Sequence, residues 1–265
     1  MPERIQESHK GTFGRVLNIS GSEFMTGAPY LSSIAALRTG CGYLVLCAPK
    51  IVIDALSTQS PDIVFAAINK MIEQLETADV VLVGCGLSTT GEAKKTFNLL
   101  INNIQKNTPL LIDADGLNLL AQTQTNVQLP HNTILTPHPK EASRLLNVSV
   151  DEILRDIEYY AKEISKKYKC ITVLKGHNTI VCSKNLEIYV NHTGNSSLAK
   201  AGSGDVLSGI IAGLLAQKCE PYYAAKLGVY LHGLCGDIAK NDLSEYGVLA
   251  SDLLRYIPTA IKTLI

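Results

Sequence analysis

Two short segments, VVLVG at 80–84 and PLLID at 109–113, are apolar almost throughout instead of alternating between apolar and polar residues. Such a strand leaves apolar side chains in water unless both faces of its sheet are covered, and a parallel sheet sandwiched between helices covers them. The strands predicted from this pattern are Arg15–Ser20, Tyr43–Ala48, Asp79–Gly84, Pro109–Asp113, Asn132–Thr136 and Cys170–Lys175. Helical patterns fill the intervals and the C-terminal part, over Gly27–Gly40, Gly91–Gln105, Asp151–Lys167, Gly204–Gln217, Tyr222–Asn241 and Ser251–Thr263, most of them opened by Gly, Ser, Asp or Pro. From Lys169 to Val190 the rhythm shifts to short runs split by a Gly-His-Asn turn, which predicts antiparallel strands at one sheet edge. The expectation is an α/β layered fold.

Composition excludes other classes. With 265 residues, 46% of them hydrophobic, the chain can bury a large core without disulfide or metal staples. No linker-like tract divides it, so residues 1–265 are expected to form one domain, with 1–12 as a loose arm. Twenty-four Lys and Arg balance 24 Asp and Glu, leaving no single-sign field to steer toward nucleic acid or an anionic membrane. No apolar run approaches the ~18–20 residues that span a bilayer. Seven scattered Cys without a C-x-x-C pair point to free thiols in a cytoplasmic protein.

Several segments carry candidate chemistry. Ala201-Gly202-Ser203-Gly204-Asp205 precedes a strongly apolar helix, and glycines at a helix start let backbone N–H groups converge on an anion such as phosphate. Asp205, in the first turn, either takes a proton from an attacking hydroxyl or merely complements the helix dipole. Gly209 and Gly213 fit a helix buried against the sheet. Asp113 and Asp115 leave a buried strand at its carboxyl end, where open α/β sheets bind ligands. Asp113 could hold Mg²⁺ through water, and Asp115 reads better as a helix N-cap. His138 stands between Pro137 and Pro139, presented by a rigid backbone rather than packed. Val83-Gly84-Cys85-Gly86-Leu87 allows close approach to a ligand. Lys175-Gly176-His177-Asn178-Thr179 is a turn that either clasps a nucleotide or is a plain hairpin, and Asn195 offers an amide to a substrate.

Taken in order, GTFGRVLNISGSEFMTGAPYLSSIAALRTGCG (11–42), VGCGL (83–87), DADGLNLL (113–120), TPHPKE (136–141), VLKGHNTIV (173–181), NHTGNSSLAKAGSGDVLSGIIAGLLAQ (191–217) and YLHGLCGD (230–237) resemble the ADP/ATP-dependent NAD(P)H-hydrate dehydratase family of the ribokinase-like superfamily. The resemblance implies a three-layer sandwich and repair of NADH or NADPH hydrated at the nicotinamide C5–C6 bond. The C6 hydroxyl would be phosphorylated by ADP or ATP with Mg²⁺, and phosphate would then leave. On this reading Asp205 is the base, and Ala28, Gly86, His138 and Asn195 contact the hydrated dinucleotide. Lys175, Gly176, His177, Asn178 and Thr179, with Gly202, Ser203 and Gly204, hold the nucleotide. The resemblance further implies a homotetramer and an epimerase on a separate chain. Cys85 and Ser88 depart from the usual Gly-Pro-Gly-Leu-Gly, Ala201 and Ser203 from Gly-Gly-Thr-Gly-Asp, Pro29 from Gly-Ala-Ala, and Ser196-Ser197-Leu198 from Asn-Pro-Gly-Met. A small-molecule kinase of the same superfamily and a non-catalytic nucleotide sensor are the alternatives.

Overall fold

A computed structural model describes residues 1–123 and 127–265. Among the described residues nine strands form one sheet: β1 Arg15–Ile19, β2 Tyr43–Ala48, β3 Val64–Ala67, β4 Val80–Val83, β5 Leu110–Ile112, β6 Thr133–Leu135, β7 Ile171–Leu174, β8 Ile180–Cys182 and β9 Ile188–Val190. Their spatial order is β3-β2-β1-β4-β5-β6-β7-β8-β9. Pairing is parallel from β3 to β7 and antiparallel for β7–β8 and β8–β9. The mostly parallel sheet with an antiparallel edge thus follows the expectation, and β3, half-exposed at the far edge, is a strand the sequence reading passed over.

The apolar strands divide their side chains between two cores, as their composition requires. Val80 and Leu82 of β4 join Val16, Leu46 and Leu111 on one face, whereas Val81 and Val83 join Leu17, Ile19 and Ile112 on the other. The first face is covered by α1 Gly27–Thr39 and α2 Lys50–Leu56 and by the C-terminal helices described below. The second carries α3 Met71–Leu75, α4 Gly91–Asn103, α5 Asp115–Ala121, α6 Pro139–Leu146, α7 Val150–Arg155 and α8 Ile157–Tyr168. The single helix expected over Asp151–Lys167 is therefore two. Asp156 leaves helical geometry (φ −148°, ψ 76°), and its carboxylate accepts the Tyr159 N–H at 2.9 Å, capping α8.

On the first face lie α9 Ser203–Ala216, α10 Pro221–Gly247 and α11 Ala250–Lys262, with a break in α10 where Ser244 takes φ 67°. Nearly all of α9 is buried. Besides meeting the sheet, its Gly209 and Gly213 press against α1: a Cβ on Gly213 would lie 2.7 Å from the Ala36 carbonyl oxygen. Before β1 the backbone has only a short 3₁₀ turn at Lys10–Phe13, and the Arg4 guanidinium stacks 4.1 Å from the Phe13 ring centroid and hydrogen-bonds the Gly40 carbonyl. All seven cysteines are unpaired. Among the described residues no helix is long and apolar enough to cross a membrane.

Candidate active site

The strand order runs outward in both directions from the β1–β4 pair, so the segments leaving the carboxyl ends of β1 and β4 lead to opposite sides, the place where open α/β sheets form a ligand crevice. Asp113 leaves β5 there. Ala114 turns the backbone sharply (φ 48°, ψ −119°), so the two neighbouring carboxylates serve different partners. Asp113 Oδ1 accepts the Lys175 ammonium at 2.7 Å and Oδ2 accepts the Ser208 hydroxyl of α9 at 2.7 Å. Asp115 accepts the Ser88 N–H at 2.8 Å, tying the β4 loop in place. Asp115 is the first residue of α5 and not its N-cap, contrary to expectation, because Ala114 occupies the cap position.

Lys175 follows β7 and is itself largely buried. Burial alone would weaken its ammonium, but the Asp113 and Glu141 carboxylates outweigh that and hold its pKa above the ordinary lysine value. Burial likewise works against the Asp113 carboxylate, and the charge and hydrogen bond of Lys175 reverse the balance and lower its pKa. With both oxygens engaged and an ammonium alongside, Asp113 does not suit direct coordination of a cation.

Gly202 opens α9 in the left-handed region (φ 91°), where a Cβ would also strike Leu31 Cδ1 at 2.6 Å. No side chain caps this helix; the Ser203 N–H donates to the Lys200 carbonyl at 3.2 Å, and the next first-turn N–H groups, of Gly204 and Asp205, are the ones available to an anion. A Cβ on Gly204 would lie 3.4 Å from Lys175 Nζ, so the cradle and the ammonium adjoin. Asp205 stands beside them: its carboxylate, Asp113 and the Cys85 thiol have polar atoms within 4.8 Å of one another. Burial, then repulsion from Asp113, pushes the Asp205 carboxyl up to about 6, against the pull of Cys85 and Lys175. Such a carboxylate is ionised at neutral pH and still basic enough to accept a proton.

A cavity of about 940 Å³ opens on this cradle. Of the expected nucleotide contacts, Lys175, Gly176, His177, Thr179, Ser203 and Gly204 line it; Asn178 and Gly202 do not. His138 and Asn195, expected on the dinucleotide side, line the same cavity. Ala28 and Gly86 lie elsewhere, against each other: a Cβ on Gly86 would be 3.0 Å from that of Ala28. They adjoin Cys85, whose thiol lies near the Asp205 carboxylate; Asp205 itself does not line the cavity.

His138 is both presented and structural. Its side chain is 45% exposed, yet Nδ1 accepts the N–H groups of Lys140 and Glu141 as the N-cap of α6. Asn195 spends no amide freely: Nδ2 donates to Asp237 at 2.9 Å and Oδ1 accepts the Ser197 N–H at 3.0 Å. The sequence reading overlooked Ser208, Glu141, His232 and Asp237. Ser208 follows Asp205 at helical spacing, and Glu141 stands at capping-box distance from His138, signals that were available. His232 Nε2 lies 3.0 Å from Ser203 Oγ and is pushed down to about 4 by burial, and only the folded packing of α10 on α9 reveals it.

Fold and site together define a ribokinase-like protein with an uncapped glycine-led helix start, a largely buried ammonium and a carboxylate of raised pKa at the sheet's carboxyl edge. The chain belongs to the NAD(P)H-hydrate dehydratase family, whose model matches residues 16–259. It is 39% identical over 264 residues to the ADP-dependent (S)-NAD(P)H-hydrate dehydratase of Neisseria meningitidis serogroup B, covering 94% of this chain and 86% of that protein. It is 35% identical over 278 residues to the bifunctional NAD(P)H-hydrate repair enzyme Nnr of Moorella thermoacetica, covering all of this chain and 52% of the relative. The chain thus spans about half the length of that bifunctional relative. The crystal structure of the ADP/ATP-dependent NAD(P)H-hydrate dehydratase of Bacillus subtilis, co-crystallized with ATP/Mg²⁺, superposes with a TM-score of 0.89 at 32% identity, covering 100% of this chain and 95% of that one.

Proposed function

We propose that this chain dehydrates the (S)-epimer of NADH or NADPH hydrate at the expense of ADP or ATP. The observation that carries the reading is Asp205, a half-buried carboxylate raised to about 6 in the first turn behind the Gly202–Gly204 cradle, beside Asp113 and the Cys85 thiol. Membership of the family supports the choice of substrate.

In this account the nucleotide enters with Mg²⁺ and sets its terminal phosphate at the start of α9, on the Gly204 N–H beside Lys175. The C6 hydroxyl of the hydrate meets Asp205, which takes its proton as the oxygen attacks the terminal phosphorus. The new O–P bond forms as the bond to the bridging oxygen breaks, releasing AMP from ADP or ADP from ATP. The fixed N–H groups and Lys175 stabilise charge on the transferring group. Phosphate then departs with the C6 oxygen and a C5 proton is lost, which restores the ring double bond. Phosphate leaves far more readily than hydroxide, and that difference is the reason to consume a nucleotide. His138, 45% exposed at the cavity wall, contacts the dinucleotide. A cytoplasmic setting and a homotetramer complete the reading.

The test mixes purified protein, Mg²⁺ and NADH hydrate with ADP or ATP in turn, following the absorbance of reduced nicotinamide. Nucleotide-dependent recovery supports the dehydratase and names the donor. No recovery from folded, nucleotide-binding protein refutes it and favours a small-molecule kinase.

A further inference from the structure

The Lys175 ammonium lies between two buried carboxylates, with Asp113 Oδ1 at 2.7 Å and Glu141 Oε2 at 3.9 Å. It also borders the cradle, because a side chain on Gly204 would reach within 3.4 Å of Nζ. Glu141 is only 5% exposed. Its Oε2 accepts the His138 N–H at 2.8 Å, and Oε1 lies 3.3 Å from His138 Nε2. Since His138 Nδ1 accepts two backbone N–H groups, this bonding assigns the ring hydrogen to Nε2, facing Glu141.

Two ionised carboxylates around one ammonium leave a surplus negative charge beside a site built for an anion. Asp113 has the shorter contact and the Ser208 hydroxyl as well, so Glu141 is the partner that yields. We propose that Glu141 is a positioning residue for Lys175 whose protonation is coupled to nucleotide binding: phosphate entering the cradle draws Lys175 to itself, and Glu141 takes one proton from solvent as it loses that partner. The inference rests on reading the cavity as a nucleotide site.

The charged groups acting on Glu141 are Lys175 from the end of β7, Asp113 from the end of β5 and Arg144 on α6 itself, and the His138 backbone N–H at the α6 cap adds a hydrogen bond. From α5, Asn118 accepts Arg144 at 2.6 Å and Asp115 holds the Ser88 N–H. Burial pushes the Glu141 carboxyl up to about 7 despite Lys175. Above that pH the free protein carries Glu141 ionised, and binding must protonate it. Affinity therefore falls as pH rises, by up to about tenfold per unit for one proton. Asp205, at about 6, titrates below this window.

The experiment is calorimetric titration of Mg²⁺–ADP into the full chain and into Glu141→Gln, from about pH 7 to about 8.5, in two buffers of different ionisation enthalpy. The unsubstituted protein should take up a fraction of a proton per nucleotide, approaching one as pH rises, with Kd weakening roughly tenfold across the range. Gln preserves the capping box, so the variant should bind with proton uptake near zero and a nearly flat Kd. Uptake near zero in the unsubstituted protein overturns the proposal without any variant, as does undiminished uptake in Glu141→Gln. Binding without uptake removes this coupling alone, whereas no binding of Mg²⁺–ADP at any pH removes the nucleotide reading and the coupling together.

Discussion

Replacing Lys175 with Met keeps an unbranched stem and deletes the charge that neutralises Asp113. At 2.7 Å and an effective dielectric of about 20, the attraction between the two is about 6 kcal/mol, set against several kcal/mol of desolvation for each ion. Their net worth as a pair is therefore small, but removing one partner strands the other. Asp113 is 1% exposed and would keep only hydroxyl donors. Breaking such a pair destabilises by about 3–5 kcal/mol; because Lys175 is 19% exposed to the cavity, we expect about 3–4 kcal/mol near pH 7. For a chain of this size that is a fall of roughly 6–16 °C in Tm. The pH dependence gives a second check with a definite sign. In the unsubstituted protein the Asp113 pKa is lowered, so its contribution is complete above the ordinary carboxylate value and disappears only as pH falls through the lower folded one. In Lys175→Met burial is opposed only by hydroxyl hydrogen bonds and raises that pKa, so the folded state must bind a proton and the penalty grows with pH. Urea unfolding at about pH 5 and about pH 7 should show a smaller difference between the two proteins at the lower pH. A loss under about 1 kcal/mol at pH 7, or the same loss at both pH values, would refute the assignment of Lys175 and Asp113 as a buried pair.

Asp205→Asn should fold and bind nucleotide normally while losing about 10²–10⁴-fold in turnover, measured by steady-state kinetics, since an amide cannot accept the proton. The unsubstituted enzyme should lose activity as pH drops below about 6, where Asp205 becomes protonated; a rate profile flat through that region would count against it as the base. His138→Ala should weaken binding of the hydrated dinucleotide more than that of the nucleotide, and should also lower stability by about 1 kcal/mol through the lost cap, read from paired titrations and thermal melts. Gly84→Ala should be destabilising by about 2 kcal/mol or more, because Gly84 has φ 119° and a Cβ there runs into the Asp113 carbonyl; melting unchanged from the unsubstituted chain would show that this turn tolerates movement.

The layered fold was legible because VVLVG and PLLID are apolar on both sides, a pattern that only a doubly covered sheet accommodates. The antiparallel edge showed in the change of rhythm after Lys169. What escaped was short or context-dependent: β3 has an exposed burial pattern, and Asp156 breaks a continuous helical periodicity with a cap that exists only in three dimensions. At the site, glycines announced the cradle through their spacing, but the partners of each carboxylate were not readable. Asp113 looked like a metal ligand and turned out to be saturated by Lys175 and Ser208, residues 62 and 95 positions away. Asp115 looked like a cap and instead restrains Ser88 across the crevice. His232 reaches Ser203 from α10, a contact no local pattern encodes.

The central claim is that the oxygen lost from the hydrate leaves as part of phosphate, after Asp205 has delivered it to phosphorus. Hydrate prepared in ¹⁸O-water carries the label at its C6 hydroxyl. With Mg²⁺ and the active nucleotide, the account predicts one ¹⁸O atom in each phosphate released, seen by mass spectrometry, in step with recovered reduced nicotinamide. Label recovered in water, beside unlabelled phosphate, would mean that the nucleotide is hydrolysed separately from dehydration and would contradict the account.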